Sequence, residues 1–226
     1  MGEPAEKKDG ASTQALQALW RVPQWFPKLS PQILETMRLF HVELLHFNAK
    51  VNLIGRGTER DADEAHMADS IMGSELLLKH CKAQIIYDIG SGNGLPGIAL
   101  AIMDPARKLK LVEKDARKSE FLKQIIFRLK LSNAEVLNVR LEEIAQGTID
   151  AAVSRGFATI SKALLIGNKA FHKDSMYYHF KTTTWSTEIA EIPSQLCAIW
   201  SPELVGEYSL PHAQARRAVV VTKKIV

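Results

Sequence analysis

The stretch Ile85-Ile-Tyr-Asp-Ile-Gly-Ser-Gly-Asn-Gly-Leu-Pro-Gly97 constrains the fold of this chain more than any other. A short apolar run, Ile85 to Ile89, meets a cluster of glycines and then a second apolar run, Ile98 to Met103. That order is what a buried parallel strand, a tight turn and a helix look like in one dimension. Glycine suits the turn because it takes positive φ at little cost and lets the backbone approach a bound molecule. Pro96 fits only the first turn of the helix that follows. So many glycines in one turn cost conformational entropy that packing alone rarely demands, which favours a ligand-binding turn over a purely structural one.

Gly92-Asn-Gly-Leu-Pro-Gly97 spells the dinucleotide fingerprint, so a nicotinamide or flavin cofactor has to be weighed. Asp88 argues against it. Two residues before Gly90, an anion repels a pyrophosphate at the helix N-terminus but attracts a ligand carrying an ammonium and a sulfonium. The implied ligand is S-adenosylmethionine. Downstream, Lys108 to Val112 alternates as a strand should, and Glu113 ends it about 20 residues past the glycines, where an acid can hold both hydroxyls of a ribose.

Residues 1–12 are polar and expected to be disordered. Residues 13–80 read as helical: a short helix with Ala15, Leu16, Leu19 and Trp20 on one face, ended by the Pro23 to Pro27 segment; a helix behind Ser30-Pro31 through Leu45; and a third from near Asp61 or Asp63 to His80. In residues 81–226, strands over 108–112, 134–139, 150–154 and 176–180 alternate with helices over 98–103, 117–131 and 159–169. A short helix over 186–192 and strands at 208–211 and 216–224 follow. This is an α/β, Rossmann-like pattern with a central, mostly parallel sheet and an N-terminal helical extension. It brings Asp88, Glu113, Arg140 and Arg155 to the carboxyl edge of the sheet.

The chain's 226 residues allow one α/β domain with an added element. Cys81 and Cys197 are the only cysteines, which excludes a disulfide framework and a thiolate zinc site and fits a reducing compartment. No apolar run approaches a membrane span, and the first ten residues lack a signal peptide's apolar region, so the cytoplasm is the expected location. With 29 basic and 25 acidic residues the net charge is +4, which permits a polyanionic partner without requiring one.

With these motifs placed, the sequence resembles the RsmG (GidB) family of bacterial small-subunit ribosomal RNA guanine-N7 methyltransferases. The resemblance runs from about Leu39 to Lys224 and rests on Asn48-Ala-Lys-Val-Asn-Leu53, His66-Met-Ala-Asp-Ser70, Asp88 to Ile98, Lys118 with Phe121-Leu122, Arg140-Leu-Glu-Glu143, Ser154-Arg-Gly-Phe-Ala158, Lys181, and Arg217 to Lys223. It implies a class I methyltransferase fold using S-adenosylmethionine. The cofactor set it implies is Asp88, Gly90, Ser91, Gly92, Gly94, Glu113, Lys114, Arg140, Leu141, Glu142 and Arg155. Arg155, His66 and Asp69 would face the reacting base, with no metal. The substrate implied is a guanine N7 in 16S ribosomal RNA or the small ribosomal subunit, and the enzyme would be a monomer with no membrane attachment.

The sequence departs from the family at Gly156, at Thr182 and at His172-Lys-Asp-Ser175, where a Gly-rich turn is usual; all three touch the substrate-side loops. His66 can also be read as a satisfied core histidine. The basic residues Arg56, Arg60, Lys169, Lys173, Lys181, Arg216, Arg217, Lys223 and Lys224 form either an RNA rim or a solvated face. A methyltransferase acting on a small molecule or protein, and a non-catalytic cofactor-binding module, remain the alternatives.

Overall fold

In the computed structural model, which describes residues 20–226, β1 (Ile85–Ile89) and β2 (Lys108–Val112) have the bounds that the sequence pattern predicts. The expected tail over 1–12, and the expected helix through Ala15 and Leu19, lie outside the described residues. β3 (Ala134–Leu137), β4 (Ile149–Arg155), β5 (Phe171–Thr182), β6 (Trp200–Ser209) and β7 (Arg216–Lys224) complete a seven-stranded sheet of order β3-β2-β1-β4-β5-β7-β6. The strands β1 to β5 pair in parallel, and β7 runs antiparallel between β5 and β6. The order reverses between β1 and β4, and a crevice at the carboxyl ends opens at such a point.

Alternation along the strands feeds two cores. On one face Ile86, Leu111, Val153 and Tyr178 pack under α2 (Pro31–Val51), α3 (Asp69–His80), α4 (Gly97–Met103) and α5 (Ala116–Arg128), through Phe40, Leu44, Ile71, Ile98 and Phe121. On the other, Tyr87, Ile89, Ala152 and Tyr177 meet Ile160 and Leu164 of α6 (Ile160–Gly167), and Ile192, Leu196 and Trp200 beyond it. The N-terminal helices therefore share the sheet's core.

Several elements depart from the sequence pattern. The Pro23 to Pro27 segment contains a helical turn, α1 (Val22–Trp25), because Pro23 sits in its first turn, where the missing N–H costs nothing. The third helix begins as a π-helix over Asp63–Ala68 before continuing as α3. The helix expected over 186–192 forms as α7 (Trp185–Ala190), and α8 (Ser194–Cys197) follows it. Strand β5 starts five residues before Met176, and β6 starts at Trp200 rather than Tyr208. Strand β6 hides from a periodicity reading because it is an edge strand with Pro202 and Gly206 inside it and a single buried residue, Trp200.

Register divides the nine basic positions that the sequence offered as one rim. Arg217 pairs with Thr182 at the carboxyl end of β5, whereas Lys223 pairs with Met176 near its start. Lys173, Lys223 and Lys224 thus lie at the end of the sheet remote from the crevice. Lys223 is tied to Asp174, and Lys224 donates to Asn168 O and Phe171 O.

Candidate active site

The turn from Gly90 to Pro96 hangs on β2: the N–H groups of Gly90 and Ser91 both donate to Val112 O, at 2.9 and 3.0 Å. Gly90 and Gly92 take φ of +66° and +53°, the left-handed region that favours glycine. Glu113, just past β2, reaches back across the turn. Its Oε2 accepts from Gly92 N–H at 2.9 Å and its Oε1 from Asp115 N–H at 2.8 Å. Each oxygen keeps a free lone pair.

Beside Glu113 lies a cavity of about 340 Å³, walled by Ile89, Val139, Leu141, Phe157 and Ile166 and edged by Lys114, Arg140 and Glu142. Apolar walls with one anchored carboxylate fit an adenosine: the walls take the flat base, and Glu113 accepts from sugar hydroxyls. Of the expected cofactor set, Gly90, Glu113, Lys114, Arg140, Leu141 and Glu142 line this cavity.

Five others do not: Asp88, Ser91, Gly92, Gly94 and Arg155. Asp88 is 1% exposed, and its Oδ2 accepts from Ser91 Oγ at 2.6 Å and from Gly97 N–H at 3.1 Å. Through this oxygen it braces the turn from beneath. A Cβ on Gly97 would stand 2.5 Å from that Oδ2, so this position admits only glycine while Asp88 holds its place. Burial raises the Asp88 carboxyl to about 6, opposed by Ser91, Gly97 and Arg155, and Oδ1 has no donor among the described residues. Ser91 is buried and serves Asp88. Gly94 faces the helical layer, where a Cβ would meet Ile98, Leu122 and Phe40 at 2.9 to 3.3 Å, so packing there requires glycine.

A second cavity, of about 400 Å³, shares Gly156 with the first and is lined by His66, Asp69, Arg155, Phe180, Lys181, Glu188 and Arg217 among others. Here the expected trio meets. Arg155 Nη1 lies 3.0 Å from Asp69 Oδ2, and its Nη2 lies 3.5 Å from Asn93 Oδ1 of the glycine turn. Asp69 also accepts from Tyr208 Oη at 2.9 Å and stands 3.6 Å from Arg217 Nε. His66 Nε2 is 2.9 Å from Thr58 Oγ1. Burial, with Arg155 and His41 adding to it, lowers the His66 imidazole to about 3, so it is neutral at physiological pH.

Lys181 donates to Ala158 O at 2.8 Å and to Glu188 Oε2 at 2.7 Å, and that oxygen also accepts from Ile160 N–H. The pair pins the loop 156–159 that separates the two cavities. Tyr208, Asn93 and Glu188 escape the sequence reading, and Arg217 enters it only as a rim cation. The available signal was that a buried acid such as Asp69 demands several donors.

A model of the family described as GidB, rRNA small subunit methyltransferase G, matches residues 33–210. The chain belongs to this family. It is 42% identical over 219 residues to the ribosomal RNA small subunit methyltransferase G 3 of Bdellovibrio bacteriovorus, covering 96% of this chain and 99% of that one. The ribosomal RNA small subunit methyltransferase G of Polynucleobacter asymbioticus is 31% identical over 215 residues, covering 93% and 96%. Among solved structures, a putative O-methyltransferase from Klebsiella pneumoniae superposes with a TM-score of 0.59 over 96% of this chain and all of that one. A SAM-dependent methyltransferase from Aquifex aeolicus does so at 0.56 over 76% and all. At 10% and 12% identity these two likenesses speak for the fold alone. Family and fold make this GidB chain an S-adenosylmethionine-dependent methyltransferase of class I, with an rRNA-modifying lineage. No helix among the described residues is long and apolar enough to cross a membrane.

Proposed function

We propose that the chain transfers the methyl group of S-adenosylmethionine to N7 of one guanine in 16S ribosomal RNA, and that the base enters the cavity bounded by His66, Asp69, Arg155 and Arg217. The observation that carries this is the pairing of two cavities across Gly156, one with a ribose-competent carboxylate and one with an oriented arginine. The bound cofactor supplies an electrophilic methyl carbon on its sulfonium. Glu113 would hold the ribose, Leu141 and Glu142 the adenine edge, and Lys114 and Arg140 the mouth. Asp88 and Ser91 would act through the turn that they brace.

Guanine N7 carries an in-plane lone pair that is free at neutral pH, so no residue has to remove a proton from it. The chain's task is alignment and exclusion of water. Arg155, held by Asp69, can donate to guanine O6 or to a neighbouring phosphate, which fixes where N7 points. His66, neutral and held by Thr58, offers a wall and a hydrogen bond. The helical region through residue 80 is part of the acceptor site on this reading, because it supplies His66 and Asp69.

The major groove of A-form RNA is too deep and narrow for a protein site to read, so the guanine must come from a loop or leave its stack. A ribosomal substrate places the enzyme in the cytoplasm, and we read it as a monomer working without a metal. The deciding measurement is mass spectrometry of 16S fragments from cells with and without the gene, with strand scission at 7-methylguanine as a second readout. An unchanged methylation map in the deletion strain would overturn the reading. Transfer of labelled methyl to an RNA-free extract, but not to ribosomal subunits, would then favour a small-molecule or protein acceptor.

A further inference from the structure

The helix α5 carries a surface that the methyl-transfer site does not use. Phe127, near its carboxyl end, is 84% exposed, and no other large hydrophobic side chain among the described residues is as open to solvent. It stands beside a groove of about 530 Å³ floored by Ile126, Leu131, Ala134 and Val136, between the last turn of α5 and the sheet's edge strand β3. Lys123 and Lys130 line the same groove. Among the described residues neither has a carboxylate partner, whereas the neighbouring cations do: Lys110 pairs with Glu135, and Arg128 with Glu43.

Charge is concentrated here. The segment from Lys114 to Lys130 holds six basic residues and two acidic ones, Asp115 and Glu120, an excess of four that equals the formal net charge of the whole chain. Asp115 is spent capping the helix, accepting from the N–H groups of Arg117 and Lys118, and Glu120 accepts from Gln124. Helical spacing places Lys123 one turn before Phe127 on the same exposed face. The segment begins at Lys114, on the lip of the cofactor cavity, and runs to the opposite end of the sheet.

An exposed ring between two lysines without carboxylate partners among the described residues, on a segment whose charge excess equals that of the whole chain, has the make-up of a stacking platform for an unpaired base whose flanking phosphates meet the lysines. We infer that α5 and the Phe127 groove form a second contact for ribonucleic acid, separate from the acceptor cavity, in which Phe127 stacks on an unpaired base and Lys123 and Lys130 take phosphates. This rests on the reading that the substrate is ribosomal RNA. It gives the enzyme a way to choose its guanine by two contacts a helix length apart.

The test is binding of 16S ribosomal RNA to the full chain across a salt series, with Phe127→Ala, Phe127→Trp and the double variant Lys123→Gln/Lys130→Gln, alongside S-adenosylmethionine affinity and melting temperature. Loss of one stacked ring should weaken RNA binding roughly tenfold, with tryptophan restoring it. Loss of the two lysines should lower the slope of log affinity against log salt by about two. Cofactor affinity and melting temperature should stay put. Unchanged RNA affinity and slope in both variants would overturn the inference. So would a shift of Phe127→Ala from dimer to monomer in sedimentation, since the groove would then be a self-association face. A wild-type chain that binds 16S RNA through Phe127 yet transfers no methyl to it would sink the proposed function and leave this surface standing.

Discussion

Arg155, the last residue of β4, and Asp69, the first of α3, meet at 3.0 Å in the lining of the second cavity. Asp69 also holds Tyr208 and faces Arg217, so one carboxylate from the helical region fixes groups from β4, β6 and β7. The guanidinium is thereby presented in one orientation before any substrate arrives. Lysine at this position keeps the charge and loses the planar fork.

Arg155→Lys is therefore expected to lower single-turnover methylation about a hundredfold through misplacement of the acceptor, with little change in S-adenosylmethionine affinity. Asp69→Asn should do more, because it leaves two guanidiniums facing each other without their anion. A stability loss of about 3 kcal/mol is expected, somewhat less for the share of Arg217 that remains solvated. Calorimetry for the cofactor, quench-flow for the methyl and urea unfolding for stability separate the two variants. Equal loss of cofactor affinity and turnover in Arg155→Lys would place the arginine at the wrong ligand.

Glu113 does two things at once: it receives the Gly92 and Asp115 N–H groups and lines the cavity proposed for the cofactor. Glu113→Ala removes charge-assisted hydrogen bonds of about 1.5 to 3 kcal/mol and should weaken S-adenosylmethionine binding about ten- to a hundredfold. NAD should not compete in the same titration. Preference for NAD would undo the assignment of the cavity.

What the sequence disclosed and what it hid divide along a physical line. The bounds of β1 and β2, the glycine turn and the crevice side of Glu113 and Arg155 follow from local patterning, because each depends on residues within a turn or two of one another. Asp69 meets Tyr208 across 139 residues of chain, and only sheet register brings Tyr208 and Arg217 side by side. The glycine signal was also ambiguous in a specific way: Gly92 bends the turn toward Glu113, whereas Gly94, equally left-handed, is small to admit Ile98, Leu122 and Phe40. Positive φ is legible from sequence, and the direction in which the missing side chain would have pointed is not. The basic rim failed for a related reason, since residues at the two ends of β7 differ in sequence by a few positions and in space by the length of a strand.

Buried histidines set the response to acid. Burial holds His41 at about 4 and His179 at about 3, both below the ordinary 6.5, and His66 also lies low. The unfolded chain therefore takes up protons that the fold refuses, and stability should be full above about pH 6.5 and fall as the pH drops toward 4. Asp88 runs the other way: its folded value is raised to about 6, so its contribution is present at low pH and lost as the pH rises through 6. Three histidines against one carboxyl leave a net uptake on unfolding of about two protons between pH 6 and 4, with each proton worth about 1.4 kcal/mol per pH unit. His41 is buried with neither ring nitrogen partnered among the described residues, so His41→Leu should remove one proton from that slope. Urea midpoints taken from pH 4 to 8 give the slope directly. A profile that steepens or stays the same in His41→Leu would show that this ring is already charged in the fold.

The same depression of His66 makes a statement about the reaction. A general base for methyl transfer would have to titrate near the working pH, and His66 at about 3 stays neutral across that range. It lines the second cavity with its Nε2 2.9 Å from Thr58 Oγ1, so on the proposed function its contribution is to shape and to hydrogen bonding, and N7 itself needs no deprotonation. Single-turnover rates at saturating cofactor should show no ionisation between pH 6 and 8 that vanishes in His66→Asn. That variant should lower the rate by a constant factor at every pH, because a positioning group is lost and a proton acceptor is not. A wild-type rate that climbs through pH 6 to 7 and goes flat in His66→Asn would mean that the imidazole carries a proton in the reaction, and that the acceptor atom is one that must lose it.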